Sequence, residues 1–193
     1  MIGLLKKIVK ENIIKLTRPH MIKGYKRFDG KMLYDTRLSN TTFIENTKNF
    51  YIEDNVYIGH YNYLDASNNL TIEEGCQLTN FINIVSHSSH ISIRLYGKEY
   101  LKHKNLKGYI KGEVIIGKYS FIGPYTLIMP GTKIGKGSLV KAYSYVKGVF
   151  PEFSIISGNP AVRIGDTRNI DKKYIDDDQE LRMYYNEWAL KND

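Results

Sequence analysis

Ile116, Ile122, Ile128, Ile134, Val140 and Val146 stand six apart without a break. Neither a 3.6-residue helical period nor strand alternation alone yields that pattern. A six-residue period marks a parallel β-helix, an all-β solenoid whose stacked coils bury a ladder of aliphatic side chains. Gly117, Gly123 and Gly135 follow three of the ladder positions and suit tight corners. The register begins near Ile44, runs through Ile52, Ile58 and Leu64, and resumes at Ile72, Leu78 and Ile84. The longer step from Leu64 to Ile72 predicts an outward bulge around Ser67, Asn68 and Asn69. With about three hexapeptides to a coil, residues 44–90 make two to three coils.

Other segments break the period. From Met1 to Leu16, apolar Ile2, Leu4, Leu5, Ile8, Val9, Ile13 and Leu16 interleave with Lys6, Lys7, Lys10 and Lys15, predicting a basic amphipathic helix. It lacks the pure apolar centre and small-residue cleavage site of a signal peptide. Such a helix packs on the solenoid or a partner subunit, or contacts an anionic membrane surface. Residues 17–40, punctuated by Pro19, Gly24 and Gly30, predict a connecting segment with one short strand; Tyr25, Phe28 and Tyr34 are placed to cover the open end of the solenoid. After Ile84 the pattern fails, and residues 94–113 predict a long basic protruding loop. Beyond Asp166 the composition shifts, and Asp171–Leu190 predicts one C-terminal helix opened by Asp176, Asp177 and Asp178. The expected organisation is 1–43 helix and capping segment, 44–165 solenoid, and 166–193 helical tail.

The run from Ile115 to Gly165 resembles the left-handed β-helix (hexapeptide-repeat) acyltransferases, in the branch of the sugar O-acetyltransferases and xenobiotic acetyltransferases. It contains the turns Ile128–Gly131 (IMPG), Phe150–Ser154 (FPEFS) and Gly158–Ala161 (GNPA), in the order that family uses. The resemblance implies an enzyme that moves an acetyl group from acetyl-CoA to an acceptor, usually as a homotrimer with the site between subunits. It also implies a catalytic histidine just before a loop that reaches over the active site. The cofactor would lie along the C-terminal coils, against Gly123, Ala142, Lys147 and Arg163. Two departures stand out: Lys147-Gly148 replaces the usual Thr-Lys pair, and Tyr143 replaces a small residue, where it would narrow the pantetheine tunnel or stack on the adenine.

Composition narrows the partners. The formal net charge of +8 and pI near 9.3 favour anionic partners, including the phosphates of a cofactor or an acidic glycan. No zinc-finger spacing or aromatic RNA-binding motif appears, which argues against nucleic acid. One cysteine, Cys76, excludes an internal disulfide framework and fits a reducing, cytoplasmic setting. No apolar run is long enough to span a bilayer, so any membrane contact would be peripheral, at the inner face, through the N-terminal helix.

Transfer to a hydroxyl requires a base, because an alcohol is a poor nucleophile at neutral pH. Histidine fits, since its pKa lies near working pH. The sequence has no GxSxG elbow, so direct attack in a ternary complex is expected rather than an acyl-enzyme. His87 and His90 flank the break in register. By the family's spacing from the inward aliphatic, His90 is favoured as base and His87 is the alternative. His60 and Asn83 are candidates for the acceptor; Asn83, Asn62 and Asp65 are candidates to hold the imidazole. A cell-surface polysaccharide or its precursor is the expected acceptor. An antibiotic or a nucleotide-linked amino sugar, taken by N-acetyl transfer, is the alternative. Two other classes stand against this. A metal hydratase like the γ-class carbonic anhydrases would need three histidines on zinc, with His60, His87 and His90 as its ligands. The other is a non-catalytic scaffold. The expected enzyme needs no metal.

Overall fold

The computed structural model describes Lys6, Ile13, Ile14 and residues 16–190. Most of the amphipathic-helix expectation therefore lies outside the described residues; Lys6, Ile13, Ile14, Leu16 and Thr17 are helical.

Strands β1 (Met21–Lys26) and β2 (Met32–Ser39) come first, followed by β3 (Phe43–Glu45), β4 (Phe50–Ile52), β5 (Tyr57–Ile58), β6 (Tyr63–Asp65), β7 (Leu70–Ile72), β8 (Gln77–Leu78) and β9 (Asn83–Ile84). The ribbon strands β10 (His87–Ser88) and β11 (Ile110–Lys111) flank helix α1 (Ser92–Tyr96). The solenoid resumes with β12 (Val114–Ile116), β13 (Phe121–Ile122), β14 (Leu127–Ile128), β15 (Lys133–Ile134), β16 (Leu139–Val140), β17 (Tyr145–Val146) and β18 (Val149–Phe150). It closes with β19 (Ser154–Gly158), β20 (Ala161–Asp166) and helices α2 (Arg168–Ile175) and α3 (Gln179–Ala189).

These strands form three faces of a prism. The first stacks β2-β5-β8-β13-β16-β19, the second β3-β6-β9-β14-β17, and the third β4-β7-β12-β15-β18. Within these stacks the pairings are parallel. The six-residue ladder sets the register. On the first face Leu38, Ile58, Leu78, Ile122, Val140 and Ile156 stand in line; on the second, Ile44, Leu64, Ile84, Ile128 and Val146; on the third, Ile52, Ile72, Ile116, Ile134 and Phe150. Ile58, Leu78, Ile122, Ile128 and Val146 are completely buried. Burying each such side chain stabilises the fold by roughly 1.5–3 kcal/mol.

The corners follow a second rule. On the later coils, two residues before the inward aliphatics Ile128, Ile134, Val140, Val146 and Ile156, a small hydroxyl bonds the carbonyl three residues back. Thr126 Oγ1 donates to Gly123 O at 2.7 Å, Ser138 Oγ to Gly135 O at 2.6 Å and Ser144 Oγ to Lys141 O at 2.7 Å. The residue just before each hydroxyl has positive φ. Glycine fills that place at Gly131 and Gly137 and an aromatic fills it at Tyr119, Tyr125, Tyr143 and Phe153, while Tyr61 and Phe81 hold the same positive φ before Asn62 and Ile82. A left-handed backbone costs such residues about 1–2 kcal/mol each. On one corner the rings repay part of that, because Tyr61, Phe81, Tyr125 and Tyr143 stack in sequence at 5.3, 4.9 and 5.0 Å. Aromatic pairs contribute about 0.5–1.5 kcal/mol each beyond burial.

Several expectations need correction. The segment before the solenoid holds two strands, not one, forming an antiparallel hairpin with a bulge at Gly24. Its second strand pairs in parallel with β5, so the regular register starts one rung before Ile44, at Leu38. Of the aromatics placed to cover the open end, Tyr25 packs edge-on against Phe50, Phe28 contacts Tyr51 while staying half exposed, and Tyr34 points to solvent. The 94–113 segment is not irregular throughout: it continues α1 into a 3-10 turn at Gly97–Lys102. The C-terminal segment is two helices, not one. The second begins where the Asp178 carboxylate accepts from Leu181 N at 2.9 Å, an N-cap that starts a new helix. Trp188 of α3 holds this tail on the solenoid, against Tyr119 at 4.7 Å and Phe153 at 5.8 Å.

Candidate active site

The candidate site is built where the chain leaves β9 and turns the corner. Asp65 ends β6, one residue past inward Leu64, and is completely buried. A buried carboxylate needs partners, and four donors converge on it. Asp65 Oδ1 accepts from Ser67 N at 2.8 Å. Asp65 Oδ2 accepts from Ser86 N at 2.9 Å and from Ser86 Oγ at 2.8 Å. The same oxygen lies 2.8 Å from His87 Nδ1. Burial is the largest single influence and would raise the Asp65 pKa. The hydrogen bonds from Ser67 and Ser86 together outweigh it and hold the carboxyl at about 2. Asp65 is therefore ionised at neutral pH.

An ionised carboxylate only accepts, so His87 Nδ1 carries the proton toward it. In the neutral imidazole that assignment leaves Nε2 with its lone pair, on a ring whose side chain is 34% exposed. The ring lies parallel to Tyr109, with centroids 5.7 Å apart. Backbone pairing fixes both neighbours: β10 and β11 run antiparallel with His87 opposite Lys111, and Gly112 N donates to Ser86 O at 3.0 Å. The basic loop is thus clamped at its base beside His87. A groove of about 840 Å³ opens there, lined by Glu45, Ser67, Asn68, His87, Tyr109 and the loop residues Lys104, Lys107 and Lys111 among others. A larger cavity of about 1000 Å³ lies between α2, α3 and the solenoid. Its wall is largely aromatic, carries Glu74, Asp171 and Glu187, and has no histidine.

The other candidate residues are dispersed. His90 is exposed, with Nδ1 2.7 Å from Ser88 Oγ and no carboxylate partner among the described residues. His60 lies on the corner after β5, with Nδ1 2.6 Å from Ser39 Oγ. Gly123 and Ala142 lie on that same corner two and three coils on, packed so tightly that a Cβ on Gly123 would stand 2.6 Å from Ala142 N. Asn83 points outward on the second face between Tyr63 and Leu127. Asn62 is buried and fully used, its amide bonding Thr79 O at 2.8 Å and its carbonyl accepting from Ile82 N at 2.7 Å. Lys147 follows Val146 on the corner that carries His87, but two coils later. Arg163 is on β20, paired with Asp166 at 2.9 Å. Within one protomer His60, His87 and His90 do not converge, and no group of three metal-ligating side chains occurs among the described residues. Sequence reasoning missed Tyr109, and it held Asp65 only as one of three residues to orient an imidazole. The available signal was the coil repeat, which pairs Leu64 with Ile84 and so sets Asp65 beside Val85 and Ser86.

The family description "Bacterial transferase hexapeptide (six repeats)" matches residues 113–148. A search of curated proteins returned no match. Among solved structures, a point mutant of AntD, an N-acyltransferase from Bacillus cereus in complex with dTDP and coenzyme A, aligns with a TM-score of 0.56 at 19% identity. That alignment covers 74% of this chain and 88% of that one. AntD from Bacillus cereus with dTDP and 3-hydroxybutyryl-CoA aligns with a TM-score of 0.54 at 18% identity, over 77% of this chain and 89% of that one. A galactoside acetyltransferase in complex with coenzyme A aligns with a TM-score of 0.46 at 21% identity, over 68% and 65%. The prism described above is accordingly a left-handed parallel β-helix of hexapeptide repeats.

Proposed function

We propose that this hexapeptide-repeat chain is an acetyl-CoA-dependent O-acetyltransferase acting on a sugar hydroxyl, with His87 as general base. One observation carries the reading: an imidazole is oriented by a buried, ionised carboxylate, and its free nitrogen faces an open groove. In the reaction, His87 Nε2 takes the proton as the acceptor oxygen attacks the thioester carbonyl. The tetrahedral intermediate collapses, the carbon–sulfur bond breaks, and the thiolate leaves with the proton that His87 returns. Asp65 does not touch the substrate; it positions the ring and favours the imidazolium that forms transiently. A base so placed contributes roughly 10²–10⁴-fold to the rate. His90 has no such partner, so the role expected of it passes to His87.

Coenzyme A is assigned to the C-terminal coils, with Gly123, Ala142, Lys147 and Arg163 as its contacts. Gly123 and Ala142 share a corner other than that of His87, so a neighbouring subunit is needed to bring cofactor and base together; a homotrimer meets that need. His60 and Asn83 then face the acceptor from neighbouring surfaces. A polysaccharide or its precursor remains the assigned acceptor. No helix among the described residues is long and apolar enough to cross a membrane; any contact with the inner membrane face is assigned to the N-terminal segment. The test is release of free thiol from acetyl-CoA with a panel of glycans. His87→Ala should lose acceptor-dependent release by at least a hundredfold, and His90→Ala should keep most of it. The reverse order of the two variants would refute the assignment of the base.

A second reading is N-acyl transfer to an amino sugar carried on a nucleotide. It is favoured by the two AntD alignments, whose structures hold dTDP with a coenzyme A species. The two readings separate on the acceptor: matched amino and hydroxy sugars in the same assay identify which nucleophile is used.

A further inference from the structure

The nature of the acceptor can be read from the groove's charge, given the transferase reading above. Lys104, Lys107 and Lys111 line the wall beside His87. None of the three is paired with a carboxylate among the described residues, whereas their loop neighbour Lys102 is matched by Glu99 at 2.7 Å and stays off the wall. The one acidic residue of that wall is Glu45, and its carboxylate already accepts from the Tyr63 hydroxyl. Lys111 is no floating surface cation. It pairs with His87 across the β10–β11 ribbon, and its Nζ lies 5.5 Å from the centroid of the Tyr109 ring that stacks on His87. The Tyr109 ring therefore contacts both the cation and the imidazole. Unmatched cations gathered on a concave wall repel one another and concentrate anions. A neutral sugar would gain little from them.

We propose that the His87 groove takes an anionic sugar as its acceptor. The carboxylate or phosphate sits against Lys104, Lys107 and Lys111, and a hydroxyl of the same sugar reaches His87 Nε2. Coenzyme A also carries phosphates, but its assigned contacts lie on the later coils. This groove is made by β3, the turn after β6, and the loop. A sugar bound by its charge at one end presents its hydroxyl to the base in a fixed register, which is what catalysis by positioning requires.

The test is a titration followed at the His87 imidazole C–H resonances. Wild-type protein at low salt is titrated with D-glucuronate, D-glucose 1-phosphate, D-glucose and acetyl-CoA. The titrations are repeated with Lys104→Ala/Lys107→Ala/Lys111→Ala, its fold checked by circular dichroism, and with Lys111→Arg. At least one charged sugar should bind about tenfold or more tightly than glucose, the scale of a charge-assisted hydrogen bond. The triple variant should lose that advantage while its acetyl-CoA affinity stays within about twofold, and Lys111→Arg should keep it. Preference for glucuronate identifies a carboxylate, and preference for glucose 1-phosphate a phosphate. The proposal is overturned if glucose binds as well as either charged sugar, or if the triple variant weakens acetyl-CoA and not the charged sugar. Failure of acetyl-CoA to bind wild type sinks the transferase reading instead, and the sugar titration then still decides the anion subsite.

Discussion

Replacing Asp65 with asparagine keeps the side chain's shape and removes its charge. Four donors meet this carboxylate, three of them at Oδ2. An asparagine must turn its carbonyl toward Ser86 and His87, which leaves its own amide facing Ser67 N–H. The folded-state pKa of about 2, against 3.8 for the ordinary carboxyl, sets the magnitude. At about 1.4 kcal/mol per unit this corresponds to roughly 2 kcal/mol of stability at neutral pH. The sign follows from proton binding. As pH falls, the unfolded chain takes the proton first, so the contribution is whole above the unfolded value near 3.8. It drains away as pH drops toward 2. The assay is urea unfolding of wild type and Asp65→Asn at a series of pH values. The variant should be less stable by about 2 kcal/mol at pH 7, and the gap should close between about pH 4 and pH 2. Comparing the two proteins cancels the other carboxylates that titrate there. Turnover should fall by about a hundredfold or more, because His87 loses the partner that fixes its tautomer. A gap that is absent at pH 7, or that persists unchanged at pH 2, would refute the argument from the buried carboxylate.

Other perturbations test the scaffold. Ile122→Ala, at a completely buried ladder position, should cost about 2–5 kcal/mol in chemical denaturation. Gly123→Ala would set its Cβ 2.6 Å from Ala142 N and 2.9 Å from Val140 O. Neither backbone atom can yield freely, so a loss of about 1–3 kcal/mol and a lower melting temperature are expected. Burial pushes the Cys76 thiol up to about 12. An alkylating reagent at pH 8 should therefore label it only at the rate of unfolding, and rapid labelling of native protein would contradict its placement.

The solenoid was legible because branched aliphatics recur at one spacing, and within each uninterrupted run, Ile52–Leu64, Ile72–Ile84 and Ile116–Val146, every rung falls where that spacing puts it. The contact of His87 with Asp65 was not, because a period says which side chains point inward and not which corner residue meets a polar group from the coil below. That meeting depends on Asp65, which precedes His87 by a whole coil. The hairpin was obscured for a different reason: the bulge at Gly24 breaks strand alternation in a segment already crowded with turn formers. In the tail, three consecutive aspartates suited the opening of a helix, and the last of them does open one. Arg168–Ile175, with only partly buried apolar residues, gave no sign of forming a separate helix.

The antiparallel returns at either end of the first face bear on a different problem. Parallel coils stack by a rule that has no natural stopping point, since each coil offers the next the same row of amides and carbonyls. On this face β1 folds back on β2, and β20 folds back on β19. The two hairpins act as chain terminators for a one-dimensional crystal. They occupy the hydrogen-bonding positions where another coil, from this molecule or its neighbour, would add, and the bulge in β1 spoils the template it would present in turn. On this face the repeat that builds the solenoid is thus kept from building a fibre.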